Sequence, residues 1–413
     1  MRIRKLYLKD IGPFDEVEFE FKPQEKGKAE IHILTGPNGS GKTTVLLALS
    51  HLSHVETNSE DLFQKRFRSQ ENSLIKISNE TSESEELYEY VSTPKLKNDE
   101  DFEKAIKHGF RKQLPAFAYS GYRAIRAYEV NAIQEMPDDL SKDSLAFEKH
   151  PNSYQWTNQW IANSISKRAL EKEKQNLKKA NKFASALNTL EKTLSEIIGY
   201  PLEFNLNTEP LNLNVKANNT ELDFDVLPDG LRSLISWLAD LLKRLDLETW
   251  ENDLPVNEQE IFLFLDEIEV HLHPAWQRKV LPAVQKLLPN AQIFLTTHSP
   301  FVVNSVDGAA IYELKVKDGK AYLGEVTESK SSMSYRSVLR EVFDIEKPFG
   351  GETQDELDKF QQQRDQLLKG EDVSEKQFIQ RARKLAKQSE ELLSIISLEI
   401  KQINIIKGTN YEL

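Results

Sequence analysis

A glycine-rich segment, GPNGSGKT at 36–43, has the residue types and spacing of a phosphate-binding loop. It fits the pattern G-x-x-x-x-G-K-[ST] and stands between a short apolar run and a helical run, as that pattern requires. Its glycines let backbone N–H groups converge on phosphate oxygens, and the start of the helix adds positive partial charge. Lys42 is expected to contact the β- and γ-phosphates, and the Thr43 hydroxyl to bind Mg²⁺. The residues predicted to hold the nucleotide here are Gly36, Pro37, Asn38, Gly39, Ser40, Gly41, Lys42, Thr43 and Thr44.

Two acidic residues, Asp266 and Glu267, end the apolar run IFLFL at 261–265. A carboxylate at the end of a buried strand is well placed to hold Mg²⁺, so Asp266 is predicted to be a metal ligand together with Thr43. Glu267 is predicted to be the catalytic base that orients or deprotonates the attacking water. A pair of helix-capping carboxylates is the alternative for an isolated acidic pair. The position downstream of a phosphate loop favours the catalytic interpretation.

His298 follows the next apolar run, in the segment LTTHSP. The carboxyl end of a strand lies at the ligand edge of an open α/β sheet, where a neutral imidazole can contact the γ-phosphate or the water. We therefore predict a catalytic role for His298, with a structural histidine as the alternative. A zinc site of His271, His273 and His298 is disfavoured, because two histidines at i and i+2 after a magnesium motif suit an interface better.

Strands that alternate with helices must position these residues. In DEVEFEF at 15–21 apolar residues alternate with acids, which is the period of a half-buried strand. The runs at 31–34, 261–265 and 291–296 are short and mostly apolar, as in strands buried on both faces, and a helix is predicted from Pro274. The sequence thus predicts an α/β fold with a mixed or mostly parallel sheet flanked by helices.

Helical patterns occupy the rest of the chain. Residues 155–198 are rich in Lys and Glu at helical spacing, and a solvated helix face is favoured there over a nucleic-acid contact. From about 335 the pattern is helical to the end. We predict one helix near 353–368 and a second, continuous to about 407, that starts at a capping box of Ser374 and Gln377. Together they would form a helical hairpin.

The composition narrows the class of protein. The 413 residues include no cysteine, so disulfides and thiolate metal sites are excluded and a reducing, cytoplasmic location is expected. The N-terminal segment lacks the apolar region of a signal peptide, and no apolar run is long enough to span a membrane. The formal charge of −12 argues against a protein coated with nucleic acid but allows a local basic groove.

Four segments, GPNGSGKTT, LPDGLRS, FLFLDEIEVHLHP and LTTHSP, together resemble the ATP-binding-cassette (ABC) ATPase heads of the SMC, RecF and OLD group. The resemblance implies ATP and Mg²⁺ as ligands and a dimer in which the signature loop of one head closes on the ATP of the other. Asp229 and Gly230 hold the signature position, so they are expected to bind the partner's nucleotide. Pro228 stands where the family usually has Ser, so one hydroxyl contact is missing. The segment EVHLHP has the position of the family's D-loop.

The family's Q-loop residue is left open by the sequence. Gln64, Gln70 and Gln134 are candidates, and Arg123 in YSGYRAIR is an alternative.

The predicted domains are four. They are an N-terminal lobe of the head at 1–130, a short helical insertion at 131–200, a C-terminal lobe at 201–330 and the helical hairpin at 331–413.

The insertion and the tail guide the choice of function. The insertion is too short for the long arms of SMC proteins, and residues 300–413 contain no D-x-D of a TOPRIM nuclease. The chain most resembles the ATPase subunits of bacterial anti-phage systems of the Septu and retron type, which act beside an HNH nuclease. That resemblance implies a head dimer or higher homo-oligomer that regulates an HNH-type nuclease subunit, with DNA as a possible partner and no membrane. A RecF-like ATPase that binds DNA directly and a nucleotide-gated scaffold with little turnover are the alternatives.

Overall fold

The computed structural model describes most of the chain. The described residues are 1–25, 27–53, 64–80, 87–92, 115–121, 130, 132–137, 144, 151–250, 252–345, 347 and 349–413. Contacts divide them into two compact units, Met1–Val338 and Leu339–Leu413. The predicted division into four domains, with boundaries at 130, 200 and 330, stays a prediction. No helix within these ranges is long and apolar enough to cross a membrane.

The first unit is built on a ten-stranded mixed sheet. The described strands are β1 (Arg2–Ile11), β2 (Phe14–Glu20), β3 (Glu30–Thr35), β4 (Leu74–Glu80), β5 (Leu87–Ser92), β6 (Ala116–Tyr119), β7 (Leu202–Thr208), β8 (Leu211–Ala217), β9 (Thr220–Asp223), β10 (Phe262–Leu265), β11 (Gln292–Thr296), β12 (Ala310–Lys317) and β13 (Lys320–Glu328). The main sheet has the order β5-β4-β1-β2-β13-β12-β3-β11-β10-β6, and β7-β8-β9 form a separate sheet. From β12 to β6 neighbouring strands are parallel, whereas β13 to β12 and β5 to β2 pair antiparallel. The predicted α/β fold with a mixed sheet is confirmed.

Helices connect and cover the strands. The described helices are α1 (Lys42–Ser53), α2 (Pro151–Glu173), α3 (Leu177–Ile198), α4 (Asp229–Leu247), α5 (Pro274–Leu287), α6 (Pro300–Val303), α7 (Tyr335–Glu341), α8 (Gly351–Lys369), α9 (Glu375–Ala386) and α10 (Glu390–Lys407). The helical region predicted at 155–198 is the pair α2 and α3. The turn between them is capped by Asn176, whose side chain accepts a hydrogen bond from the backbone N–H of Lys179.

The core of the first unit anchors α1, the helix that follows the predicted phosphate-binding loop at 36–43. Every residue of β3 is buried, as expected for a central parallel strand, whereas β2 buries alternate residues. Val45, Leu46 and Leu49 of α1 are fully buried in one cluster with Phe14 and Phe294 of the sheet. Burying one such side chain contributes about 1.5–3 kcal/mol, so α1 and the loop before it are firmly anchored.

Strand register brings the predicted site segments to one edge of the sheet. Leu265 of β10 lies opposite Leu295 of β11 and Tyr119 of β6, and Thr296 of β11 lies opposite Leu34 of β3. These strands are parallel, so their carboxyl ends meet at the same edge. Ligands of open α/β sheets bind at that edge.

The second unit is a group of three helices rather than the predicted hairpin. The helix expected to run without a break to about residue 407 ends at Ala386, and α10 begins after Ser389, whose side chain accepts from the N–H of Leu392. A serine at an N-cap satisfies a backbone donor that a continuous helix would bond internally, which favours the break. The predicted capping box at Ser374 is also wrong in detail, because its side chain makes no capping hydrogen bond. Phe360 and Phe378 stack at 4.9 Å in the core of this unit.

Candidate functional site

The loop between β3 and α1 is shaped by glycines that no other residue could replace without displacing a neighbour. Gly36 has φ +138°, and a Cβ added there would lie 2.2 Å from the carbonyl oxygen of Leu314. Gly41 has φ +90°, and its added Cβ would lie 2.5 Å from the ring of Phe14. The loop therefore packs its backbone closely against Leu314 and Phe14 at these two positions, which only glycine allows.

Lys42 folds over this loop. Its Nζ donates hydrogen bonds to the carbonyl oxygens of Gly36 at 2.9 Å and Pro37 at 3.0 Å. Burial lowers the pKa of Lys42, while the carboxylates of Glu267 and Asp266 act in the opposite direction. The amine thus belongs to a buried side chain and is held by neutral carbonyls, and an anionic phosphate would be a stronger partner for it.

Thr43 and Asp266 meet at the sheet edge. The Thr43 Oγ1 lies 3.1 and 3.0 Å from the two carboxylate oxygens of Asp266. Thr296 donates from Oγ1 to Asp266 at 2.7 Å and accepts from the backbone N–H of Glu267 at 2.8 Å. Asp266 is therefore oriented by hydroxyl groups from α1 and β11. The Thr43 hydroxyl and the Asp266 carboxylate are adjacent oxygen ligands of the kind that Mg²⁺ prefers.

Glu267 directly follows the carboxyl end of β10 in a left-handed backbone conformation, with φ +47°. Its side chain packs against the segment after β6, where a Cβ added to Gly121 would lie 2.8 Å from both Cβ and Oε2 of Glu267. The carboxylate forms no hydrogen bond within the described part of the chain. It is available to a water molecule, as a general base must be.

His298 lies just beyond β11, on the same edge as Asp266. Its backbone N–H donates to Oε1 of Glu269 at 2.5 Å. Burial lowers the pKa of His298, and the positive charge of Lys42 lowers it further, so the imidazole is neutral at pH 7. Ser299, the next residue, caps α6 by accepting from the N–H groups of Phe301 and Val302.

The signature segment at 228–230 lies elsewhere on the unit. Asp229 begins α4, and Pro228 precedes it without any side-chain capping bond. Gly230 is buried against the segment after Glu267, because an added Cβ would lie 2.5 Å from the carbonyl oxygen of His271. Among the described residues, neither Asp229 nor Gly230 forms a hydrogen bond with the phosphate loop. Their role in binding the nucleotide of a second head stays a prediction.

Several buried polar atoms near the loop fit an anionic ligand. Ser40 Oγ, Thr35 Oγ1 and Arg66 Nε are buried and have no hydrogen-bond partner among the described residues. Buried polar groups without partners are rare in folded proteins and point to a missing ligand or water. The glycine backbone, the Lys42 amine and these donors are the groups that a triphosphate with magnesium would use. The residues present fit ATP and Mg²⁺.

Arg66 is a functional candidate that sequence reasoning missed, whereas Glu269 is the first residue of the predicted D-loop segment EVHLHP. Arg66 ends a short 3₁₀ helix, and its carbonyl oxygen accepts a hydrogen bond from the N–H of Gly12 at 2.8 Å. The negative charge of Asp266 acts on the Arg66 guanidinium and opposes the effect of burial on its pKa. Burial lowers the pKa of Arg66. Glu269 connects the segment after β10 to His298. No local pattern marks Arg66, since its segment is brought to the site by its hydrogen bond with the turn at Gly12.

The remaining candidates are placed as follows. Among the Q-loop candidates, Gln64 lies in the 3₁₀ helix with Arg66, and Gln134 donates to Gln159 at 3.3 Å. Arg123 lies outside the described residues. The described part of the chain has no group of three His, Cys, Asp or Glu side chains arranged to hold a metal ion.

The chain is similar in sequence to several known proteins. A family model described as "AAA domain, putative AbiEii toxin, Type IV TA system" matches residues 31–304. Septu protein PtuA of Bacillus thuringiensis is 25% identical over 320 residues, which cover 76% of this chain and 74% of that protein. Retron Ec83 probable ATPase of Escherichia coli is 33% identical over 158 residues, 36% of this chain and 29% of that protein. The predicted similarity to Septu and retron ATPases is confirmed.

Two solved structures align with most of the chain at low sequence identity. The crystal structure of the SmcHead bound to the C-winged helix domain of ScpA aligns with 81% of this chain and 99% of that chain, at 14% identity and a TM-score of 0.45. The SMC head domain from Thermotoga maritima aligns with 79% of this chain at 13% identity and a TM-score of 0.43.

Proposed function

The chain belongs to the AAA-domain family described as a putative AbiEii toxin of type IV toxin–antitoxin systems, and from this membership we propose that it binds ATP with Mg²⁺ and hydrolyses it. We further propose that it is the ATPase subunit of a cytoplasmic anti-phage complex. In that complex, ATP-dependent pairing of two heads regulates a partner nuclease of the HNH type.

One observation carries the ATPase proposal. Thr43 Oγ1 lies about hydrogen-bond distance from both oxygens of Asp266, and Glu267 follows with a free carboxylate. Magnesium, held there with the nucleotide, would offset the negative charge of the phosphates. Lys42 would hold the β- and γ-phosphates, and Glu267 would accept a proton from the attacking water. His298, neutral at pH 7, would donate or accept a hydrogen bond at the γ-phosphate without adding charge.

Measuring ATP turnover with Mg²⁺ tests this assignment. We expect Glu267→Gln to bind ATP as the wild type does while turnover falls by about 100-fold or more, the usual scale for losing a general base. Lys286→Ala, on a surface ion pair with Glu196, is the control and should leave turnover unchanged. Turnover that is unaffected by Glu267→Gln would refute the catalytic assignment.

Head pairing is proposed from the position of the signature segment. Gly230 and the first turn of α4 offer backbone N–H groups at a helix N-terminus, which favour a phosphate. Within one chain neither residue 229 nor residue 230 forms a hydrogen bond with the phosphate loop among the described residues, and we propose that a second head supplies the nucleotide they bind. Two such composite sites would form in a symmetric dimer.

The partner nuclease is proposed from similarity and from the surface of the second unit. The similarity to Septu protein PtuA and to Retron Ec83 probable ATPase supports a role in defence. On α10 the apolar residues Leu398, Ile405 and Ile406 are 60%, 82% and 64% exposed. Exposed apolar side chains along one helix suit a protein contact, and we propose that this helix binds the nuclease.

Co-purification tests the partner. A tagged chain is purified from its host, and bound proteins are identified by mass spectrometry. We expect an HNH-type endonuclease with the wild type and its loss with a double variant, Ile405→Glu with Ile406→Glu. The control Lys401→Glu changes an exposed polar residue of the same helix and should retain the endonuclease. Equal capture by both variants would refute the docking helix.

The scaffold alternative has one observation in its favour. Pro228 brings no hydroxyl to the signature segment and makes no capping hydrogen bond. Weaker closure on ATP would lower turnover while leaving nucleotide-dependent assembly intact. Assembly that requires ATP in a protein whose wild type shows no turnover would establish this alternative.

A further inference from the structure

A buried charged cluster lies on α4, well beyond the signature segment at its start. Asp240 is 4% exposed and is bound by Lys243 Nζ at 2.5 Å and by Arg244 Nε at 2.7 Å. Asp240 stands eleven positions after Asp229, which is about 16 Å along a helix. Burial opposes the ionisation of Asp240, but the two cations outweigh it and hold the pKa of Asp240 below its ordinary value. Asp240 is thus a buried, ionised acceptor.

Tyr119 connects this cluster to the nucleotide edge of the sheet. Its hydroxyl donates to Oδ2 of Asp240 at 3.0 Å, and its ring lies 6.0 Å from that of Trp237 on the same helix. Its carbonyl oxygen accepts from the backbone N–H of Asp266 at 2.8 Å. Tyr119 therefore forms a hydrogen bond with α4, the helix that begins at the signature segment, through its side chain. Through its backbone it forms a second hydrogen bond, with the predicted magnesium ligand Asp266.

The strand that ends at Tyr119 also reaches Glu267. Two residues further on, Gly121 packs against the Glu267 side chain so closely that an added Cβ would lie 2.8 Å from its Oε2. At its other end α4 contacts the segment after Glu267, through Gly230 and the carbonyl oxygen of His271. Helix α4 therefore contacts the predicted site at two points. Asp240 binds Tyr119 at the end of β6, and Gly230 packs against His271 in the segment after Glu267.

We propose that Tyr119 is a positioning residue whose hydrogen bond to Asp240 couples the signature helix to the strand ends that carry Asp266 and Glu267. This inference rests on the proposed pairing of heads. A hydrogen bond to an ionised group is roughly twice as strong as a neutral one, and it joins two packed elements. When a nucleotide orders Asp266 and Glu267, the bond holds α4 in the orientation that presents Gly230 to the second head.

The variant Tyr119→Phe removes the hydroxyl that donates to Asp240 and keeps the ring. Asp240 retains its two cations, so the chain folds. We expect the ATP dissociation constant and KM to stay within twofold of the wild type. The protein concentration for half-maximal ATP-dependent association should rise at least fivefold, and kcat should fall at least fivefold. Sedimentation velocity, steady-state kinetics and thermal unfolding of the full chain give these quantities.

Two matched controls separate positioning from stability. Tyr312→Phe removes a buried tyrosine hydroxyl that donates to the carbonyl of Glu20 at 2.9 Å in the core of the sheet. Thr157→Val removes a hydroxyl from the Asp240 cluster without touching β6. Both should associate and turn over within twofold of the wild type, even where they lower the thermal midpoint.

The outcomes are distinct. If Tyr119→Phe associates and turns over like the wild type, the positioning role is refuted while head pairing stands. If the controls lose association as much as Tyr119→Phe does, the effect is one of stability, and the role is again refuted. A wild type that binds ATP but stays monomeric at every concentration overturns the head pairing and this inference together.

Discussion

Lys42 is the residue on which nucleotide binding depends most directly. Its ammonium is held by two backbone carbonyls of its own loop, and burial has already lowered its pKa. Exchanging these neutral acceptors for a charged phosphate gains a stronger, charge-assisted hydrogen bond. The energy of binding at this position is therefore electrostatic, and removing the amine should remove it.

Replacing Lys42 tests this expectation. Lys42→Ala should weaken binding of a non-hydrolysable ATP analogue by about tenfold to 100-fold, because a hydrogen bond to a charged group contributes about 1.5–3 kcal/mol. Isothermal titration calorimetry measures the affinity, with Lys286→Ala as the surface control. Unchanged affinity in Lys42→Ala would show that the nucleotide binds elsewhere.

Arg66 is a second cation at the site, and its role can be tested against a close neighbour. Arg66→Ala should weaken ATP binding by about tenfold, the scale of one charged hydrogen bond, because its buried Nε has no partner among the described residues. Arg68→Ala is the matched control, since Arg68 binds Asp15 at 2.7 Å at the surface of the same segment. Titration of both variants with the ATP analogue decides the question. If both variants weaken ATP binding equally and only slightly, Arg66 has a structural role and does not bind the nucleotide.

The sequence predicted the residues that a continuous motif contains and missed those that pairing brings in. Lys42 and Thr43 follow each other in one sequence motif, so the sequence alone predicts their chemistry. The contact of Asp266 with Thr296 depends on the register of β10 and β11, and the position of Arg66 depends on the pairing of its segment with the turn at Gly12. No local spacing encodes such contacts.

At the scale of elements, the long C-terminal helix shows a different limit. An apolar face at helical spacing runs through the end of α9 and the start of α10, so periodicity alone predicted one helix. The break depends on whether the Ser389 side chain or a helical carbonyl accepts a backbone N–H, a balance of about 1 kcal/mol. Periodicity reports the buried face and does not report the ends of helices.

Strands β1 and β3 are joined by a charged contact that makes a stability prediction. Glu30 of β3 accepts from Arg4 Nη1 of β1 at 2.7 Å, and its Oε2 lies 3.9 Å from His32 Nε2. Burial alone would raise the pKa of Glu30, but His32 and Arg4 outweigh it and lower that pKa from 4.5 to about 2.

The sign of the pH dependence follows from this lowered pKa. The ionised form is preferred in the folded state, so the contribution of Glu30 to stability is complete above pH 4.5 and is lost as the pH falls toward 2. Glu30→Gln should lower the free energy of unfolding at pH 7 by about 2–3 kcal/mol, and the difference from the wild type should shrink steadily below pH 4.5. Urea unfolding from pH 7 down to 3 measures it. A difference that is constant with pH would contradict the assignment.

At the scale of the whole molecule, the proposed nucleotide site is built from residues of two copies of the chain. Lys42, Asp266 and Glu267 belong to one head, whereas Asp229 and Gly230 of the other head would complete the site. A symmetric pair then contains two equivalent sites, each built from both chains. Defects in the two halves of the site must therefore complement each other when the chains are mixed.

This complementation is the sharpest test of the pairing. Lys42→Ala inactivates the phosphate loop, and Asp229→Trp places a bulky side chain on the exposed start of α4 without filling the buried contact at Gly230. Each variant alone should be inactive. In an equal mixture about half of the pairs are mixed, and each mixed pair holds one intact site of two, so ATP turnover should recover to about a quarter of the wild type. Each variant assayed alone at the same total concentration is the control, and a mixture as inactive as its parts would show that both halves of the site act within one chain.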